Sequence, residues 1–206
     1  MAQRVAAGLA KIGLALKHRA WQEAGPRGIT PTQGQVLAVL HNHPQGLSLT
    51  AIAEQLAVTA PTASDAVRVL TEKGLMRKER DAEDGRSIRV LLTAEGRRLA
   101  EAAAGWPDFL AAAVDTLAPE EQAVFLRALV KMIRELQERG EIPVARMCVG
   151  CRFFRPNVHP DRERPHHCAY VDAPFGDRSL RVDCADYEDV PAHERTALWE
   201  AFVTAS

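Results

Sequence analysis

The apolar residues leave the helical period over one stretch within the first two thirds of this chain, and that interruption limits the folds open to it. Up to Gly74 they recur at spacings of three and four, the signature of one buried helix face. From Leu75 to Thr93 the pattern is different. Leu75-Met76-Arg77-Lys78-Glu79-Arg80 and Ser87-Ile88-Arg89-Val90-Leu91-Leu92-Thr93 read as two strands around the turn-rich Asp81-Ala82-Glu83-Asp84-Gly85. Helical spacing then returns. One hairpin set among helices leaves no room for a large sheet, so the chain is expected to be mainly α with a two-stranded β element.

The helices before the hairpin have readable ends. Val5, Leu9, Ile12, Leu16 and Ala20 put a helix over 4–24, stopped by Gly25-Pro26. Thr30-Pro31 caps and opens a second, which carries Val36, Leu37, Val39 and Leu40. Ser48 or Thr50 caps a short third over 49–56. After the brief Val58-Thr59 link, a fourth runs from about Ala60 to Lys73, and Gly74 supplies the positive φ that a helix end favours. Behind the hairpin, helices are expected over 94–115 and 119–139, the last with an apolar set of Leu126, Leu129, Val130, Ile133 and Leu136.

Two short helices joined tightly and followed by a hairpin make a winged helix-turn-helix. The second helix of such a pair fits the major groove and offers its first turns to base edges. Here that helix begins Thr59-Ala60-Pro61-Thr62-Ala63-Ser64, with Arg68 one turn on. Thr62 and Ser64 can donate to phosphates, and a threonine methyl can touch thymine. Thr59, Thr62 and Ser64 are equally good capping residues. The wing is locally basic, with Lys73, Arg77, Lys78, Arg80, Arg86 and Arg89, although such a run also suits a solvated face.

Residues 1–140 resemble the MarR regulators. The resemblance rests on the helix order, on Leu70-Thr71-Glu72-Lys73-Gly74-Leu75, and on the wing Asp84-Gly85-Arg86 followed by Leu92-Thr93-Ala94-Glu95-Gly96. It implies that Arg86 enters the minor groove and that Asp84 steadies it, with Arg80 on the same wing. Glu83 stands where the family often carries another arginine. The resemblance also implies a homodimer built from the N-terminal helix and the last two helices, bound to a near-palindromic operator. The one-sided apolar faces of helices 4–24 and 119–139 suit that use, or packing within one subunit.

A boundary is expected near 140–145, giving a DNA-binding and dimerisation domain over 1–140 and a small, irregular module over 141–206. All four cysteines lie in the latter, as Cys148-x2-Cys151-x16-Cys168-x15-Cys184. Confinement to one end of a 206-residue chain points to a metal site rather than a disulfide framework. The C-x-x-C pair sets two thiolates on one turn, and two distant cysteines complete four, the count for a tetrahedral zinc or an iron–sulfur cluster. Phe153, Phe154, Tyr170, Phe175 and Tyr187 crowd these cysteines. That placement resembles the cluster-binding stretch of the high-potential iron–sulfur proteins, which implies a [4Fe-4S] cluster in an aromatic shell. Zinc within a stapled mini-core and a metal-free thiol switch are the alternatives. His166 and His167 stand beside Cys168 and are candidate replacement ligands.

Charge and composition exclude other classes. With 26 basic and 27 acidic side chains there is no global basic field, so DNA binding must be local. Arg4, Lys11, Lys17, His18 and Arg19 break any apolar N-terminal run, so neither a signal peptide nor a membrane span is expected, and a cytoplasmic location is. There is no Ser/His/Asp set, no phosphate-cradling glycine loop and no convincing carboxylate pair, so no enzyme is expected. The reading is a transcriptional regulator whose DNA affinity follows a redox- or iron-responsive cluster. The alternative is a regulator that senses a small-molecule effector, with a structural zinc.

Overall fold

The computed structural model describes residues 1–80 and 87–204. The chain forms two compact units, 1–113 and 114–206. The second unit takes in the last long helix as well as the cysteine module.

In the first unit, helix α1 spans Ala2–Ala24, α2 Pro31–His41, α3 Leu49–Gln55 and α4 Ala60–Glu72. Each start follows from its cap. Thr30 accepts from the Gln33 backbone N–H while the Gln33 side chain accepts from Thr30 N, a reciprocal box. Ser48 and Thr59 cap α3 and α4 without the reciprocal half, their hydroxyls accepting from Ala51 N and Thr62 N. Strand β1 is Leu47–Ser48, β2 Met76–Arg80 and β3 Ile88–Leu92. The sheet is antiparallel in the order β1-β3-β2, with Met76 opposite Leu92 and Leu47 opposite Val90. The wing therefore has a third, two-residue strand that the hairpin pattern does not reveal; Leu47 and Ser48 are too short a run to carry a period.

Helix α5 covers Ala94–Ala104, and α6 covers Phe109–Val114. A single helix over 94–115 is expected from the spacing, but Gly105-Trp106-Pro107 interrupts it with a 3-10 turn. The proline has no N–H to continue the ladder. The break seats Trp106 against α2, where only Gly34, lacking a Cβ, leaves room for the indole. The core gathers Val36, Leu37, Leu40, Ile52, Val67, Leu70, Val90 and Leu92.

The Thr93-x-x-Gly96 segment has a physical reason. Thr93 caps α5 by accepting from Gly96 N at 3.0 Å, and its hydroxyl donates to Gly74 O at 2.8 Å. Gly96 lies against the Leu75 carbonyl, which any Cβ would strike. Gly74 itself has φ +70°, the left-handed turn that ends α4 and launches β2. One small knot thus fixes the wing's base to the end of α4.

In the second unit, α7 runs Pro119–Glu138. The tail is more ordered than an irregular module. Strands β4 (Phe154–Arg155), β5 (His166–Cys168) and β6 (Ala173–Phe175) pair antiparallel in that order, and α8 spans Arg195–Thr204. Its core holds Val130, Met147, Val149, Phe154, Leu180 and Phe202, with Leu126 and Ile133 of α7 packed on it. Part of the α7 apolar face is therefore covered by the tail of its own subunit.

Candidate nucleic-acid interface and cysteine centre

Helix α4 buries Ala63, Ala66, Val67 and Leu70 and turns Pro61, Thr62, Ser64, Asp65 and Arg68 to solvent. Periodicity alone thus separates an anchoring face from a solvent-facing one. Thr59 and Thr62 are joined through their hydroxyls at 2.9 Å, so both also serve the cap. Arg68 is held between Asp65 at 2.6 Å and Glu72 at 2.8 Å. Those two carboxylates, first the Asp65 hydrogen bond, raise its pKa. Sequence reasoning singled out Arg68 and missed its partners, although the i,i+3 and i,i+4 spacings signal them. Arg80 ends β2, exposed and opposite Ile88. Asp84 and Arg86 lie outside the described residues.

A solvent-facing polar helix, anchored as the second of a helix-turn-helix pair and followed by a β hairpin, defines the head of a winged-helix DNA-binding protein. The chain belongs to the MarR family. The family's model matches residues 27–87. The transcriptional regulator HosA of Escherichia coli is 32% identical over 114 residues, 55% of this chain and 83% of HosA. Among solved structures, the S. aureus MepR–DNA complex superposes with a TM-score of 0.54 at 33% identity, covering 62% of this chain and 94% of MepR. MepR in its DNA-binding conformation gives 0.58 at 33% identity, covering 64% and 98%. About a third of this chain thus lies outside the match to either. Regulators of this family act by binding DNA, not by catalysis. No helix among the described residues is long and apolar enough to cross a membrane.

The cysteines are brought together by three laced segments. Cys148 opens a 3-10 turn and Cys151 N donates to Cys148 O at 2.9 Å, closing the C-x-x-C knuckle. Cys184 N donates to Arg146 O and Cys148 N to Arg181 O, at 3.0 and 3.1 Å, which pins the Cys184 loop to the knuckle. The ion pair of Arg146 with Asp183 closes the same junction. Cys168 ends β5 opposite Phe154, and Ala169 N donates to Phe153 O.

All four cysteines are free thiols and line one cavity of about 170 Å³, together with Phe153, Phe154, Tyr170, Phe175 and Arg181. Two donors already point at sulfur: Arg181 N to Cys148 Sγ at 3.2 Å, and Arg181 Nη1 to Cys184 Sγ at 3.6 Å. Burial pushes the Cys148 thiol up, the Arg181 backbone N–H draws it back, and Cys184, Cys151 and Cys168 add to the rise. Each of the other three cysteines is thus close enough to be felt electrostatically. Among the described residues, no group of three or more His, Cys, Asp or Glu side chains converges closely enough to hold a single metal ion.

The candidate histidines are otherwise engaged. His166 is fully buried, its Nδ1 accepting from Asn157 N at 3.2 Å and its Nε2 facing Asp177 Oδ1 at 2.9 Å. His167 meets His159 through Nδ1 and Asp172 through Nε2, both at 3.2 Å. Sequence reasoning did not single out Arg181, Asp177 or Arg127. None sits in a motif, and only the fold brings them to the site. Burial opposes ionisation of Asp177, but the His166 hydrogen bond and the Arg127 charge outweigh it and hold the carboxyl below its usual range.

Proposed function

We propose that this chain is a homodimeric MarR-family transcriptional regulator whose affinity for a near-palindromic operator is modulated by a [4Fe-4S] cluster on Cys148, Cys151, Cys168 and Cys184. DNA binding belongs to the family. In the reading proposed here, Thr59, Thr62, Ser64 and Arg68 face the major groove, and Arg80, Asp84 and Arg86 belong to the wing. Homodimerisation is supported by the apolar side chains left open to solvent: Val5, Ile12, Leu14 and Trp21 on α1, and Val124, Phe125, Met132 and Leu136 on α7.

The observation that carries the cluster is the shape of the cysteine cavity. A tetrahedral zinc needs four donors drawn to about 2.3 Å from one point. Here the four cysteines line one cavity of about 170 Å³, and no three of them converge closely enough for a single ion among the described residues. Space for one water is on the order of 10–15 Å³, so the hollow suits a polynuclear centre better than one ion. The lining fits as well: aromatic rings limit water, and N–H donors to sulfur with a nearby guanidinium offset the negative charge of four thiolates. When bound, the cluster supplies an electron-accepting, oxidant-sensitive centre. The chain's own residues ligate it, wall it and tie the three segments together.

The test is anaerobic purification followed by iron, sulfide and zinc analysis and a visible spectrum. Four irons and four sulfides per chain, with absorption near roughly 400 nm from thiolate charge transfer, are expected. One zinc per chain in a colourless protein would overturn the cluster.

A second reading has its own observation. The first unit holds a cavity of about 420 Å³ lined by Leu16, Lys17, Gln35, Ala38 and Trp106. The Trp106 indole N–H is buried with no partner among the described residues. A largely apolar pocket of this size suits a small, mainly apolar effector. In that reading the cysteines are structural. Saturable quenching of tryptophan fluorescence by aromatic carboxylates, linked to loss of operator binding, would support it; no change in either would remove it.

A further inference from the structure

Helix α7 and the cysteine module share one core, yet the centre of their contact is polar. Arg127 of α7 donates through Nη1 to both oxygens of Asp177, at 2.9 and 3.1 Å, and through Nη2 to the Phe202 carbonyl at 2.7 Å. Its guanidinium also lies 4.2 Å from the Phe202 ring centroid. Asp177 in turn meets His166, which no solvent reaches. His166 stands two residues before Cys168 on β5, so the two side chains share one face of the strand. Around His166 are Phe154 and Phe175, at ring distances of 5.3 and 5.5 Å, and both rings also wall the cysteine cavity. Two residues beyond Asp177, Ser179 reaches the same cavity, as does Arg181.

A half-buried ionic chain with one fully buried member, His166, is an inefficient way to stabilise a small core. Apolar residues of similar volume often do as well or better, because desolvation opposes the Coulombic gain. What such a chain does provide is a fixed geometry between the pieces it joins, and it fails as a unit when one member moves. Here it joins the strand that carries Cys168 to the helix whose second apolar row is open to solvent.

We infer that Asp177 is a positioning residue that couples the state of the cysteine centre to helix α7, holding the Cys168 strand through His166 and the helix through Arg127. The inference rests on the cluster reading above. Loss of the cluster releases Cys168 and the 179–184 loop, β5 and the 177–179 turn shift, and the Arg127 anchor loosens. Regulation then reaches α7 through these side chains rather than through general softening of the Leu126, Val130 and Phe202 contacts.

Amide hydrogen exchange over 119–138 tests this on the full chain, anaerobically purified and again after removal of iron with ferricyanide and EDTA. In the wild type, stripping is expected to speed α7 exchange at least fivefold. Asp177→Asn should load the same iron and absorb equally, yet show less than a twofold change, with α7 already fast. Arg127→Met, which keeps an apolar stem, should behave alike, and Arg127→Lys should restore part of the difference. A merely structural chain would raise exchange in both states and preserve the fivefold ratio in Asp177→Asn; that result overturns the inference. So does an iron-loaded wild type whose α7 ignores stripping, and that measurement stands even if a variant does not fold. In both cases the cluster reading survives. A wild type without iron removes the cluster reading, and the inference with it.

Discussion

Phe202 is the best single test of how the cysteine module is held together. Its ring is fully buried and packs on Phe154, His166 and Trp199 at 5.7–5.8 Å, with the Arg127 guanidinium above it. Phe202→Ala removes the ring and leaves a cavity ringed by rigid aromatics that have little freedom to collapse. Such truncations cost about 3–5 kcal/mol, and poor collapse argues for the upper half of that range. For a unit of this size each kcal/mol lowers the midpoint by about 4–8 °C, so a fall of at least about 15 °C is expected. Against a typical stability of about 5–15 kcal/mol the variant would sit near the edge of folding. Hydrogen exchange in rising urea, read separately over 1–113 and 114–204, measures both units at once. The first unit should be unchanged and the second weakened by the stated amount. A loss under about 1 kcal/mol, or an equal loss in both units, would refute the packing argument.

Three further outcomes follow from the same structure. Arg86→Ala should weaken operator binding by about 1–3 kcal/mol and lower the salt slope by about one, measured by titration at several salt concentrations. The Asp177 carboxyl ionises more readily when folded than the ordinary value near 3.9, so its contribution to stability is complete above about pH 4 and fades as pH falls through its folded value. Asp177→Asn should therefore flatten acid unfolding of residues 114–204 below about pH 4 while leaving the neutral-to-alkaline side unchanged in shape, a comparison made by circular dichroism. Sedimentation at micromolar concentration should give a two-subunit species; a clean monomer would leave the exposed faces of α1 and α7 unexplained.

What was legible in the sequence was whatever local chemistry dictates. Thr30-Pro31 announced a helix start, and Thr59 and the pair Ser48 or Thr50 offered two more, because a side-chain oxygen satisfies amides the helix leaves free; Ser48 is the cap that forms, and Thr93, read as a strand end, caps α5 as well. Gly74 announced the end of α4, and the loss of helical period around the turn-rich 81–85 announced β2 and β3. The break at Trp106 was less visible, since Ala102, Ala103 and Ala104 carry the helical spacing up to Gly105 and the indole's partner, Gly34, lies far back in the chain. The cysteine spacing pointed to one centre, and the fold lines one cavity with all four. Its surroundings were not legible. Arg181, Asp177 and Arg127 matter through distances set by the tertiary fold, and Arg127 is 50 residues from its partner. The sheet β4-β5-β6 escaped because two- and three-residue strands carry no period to read.

The central claim is that the cysteine centre governs DNA binding. The most direct measurement is operator affinity for one anaerobic preparation, split and assayed with its iron intact and after stripping, beside the four single Cys→Ser variants. The account predicts that stripping changes affinity at least tenfold. It also predicts that each of Cys148→Ser, Cys151→Ser, Cys168→Ser and Cys184→Ser loses most of the iron and matches the stripped wild type, because the head over 1–113 keeps its own core. Equal affinity in intact and stripped protein, or four variants that retain full iron, would contradict it.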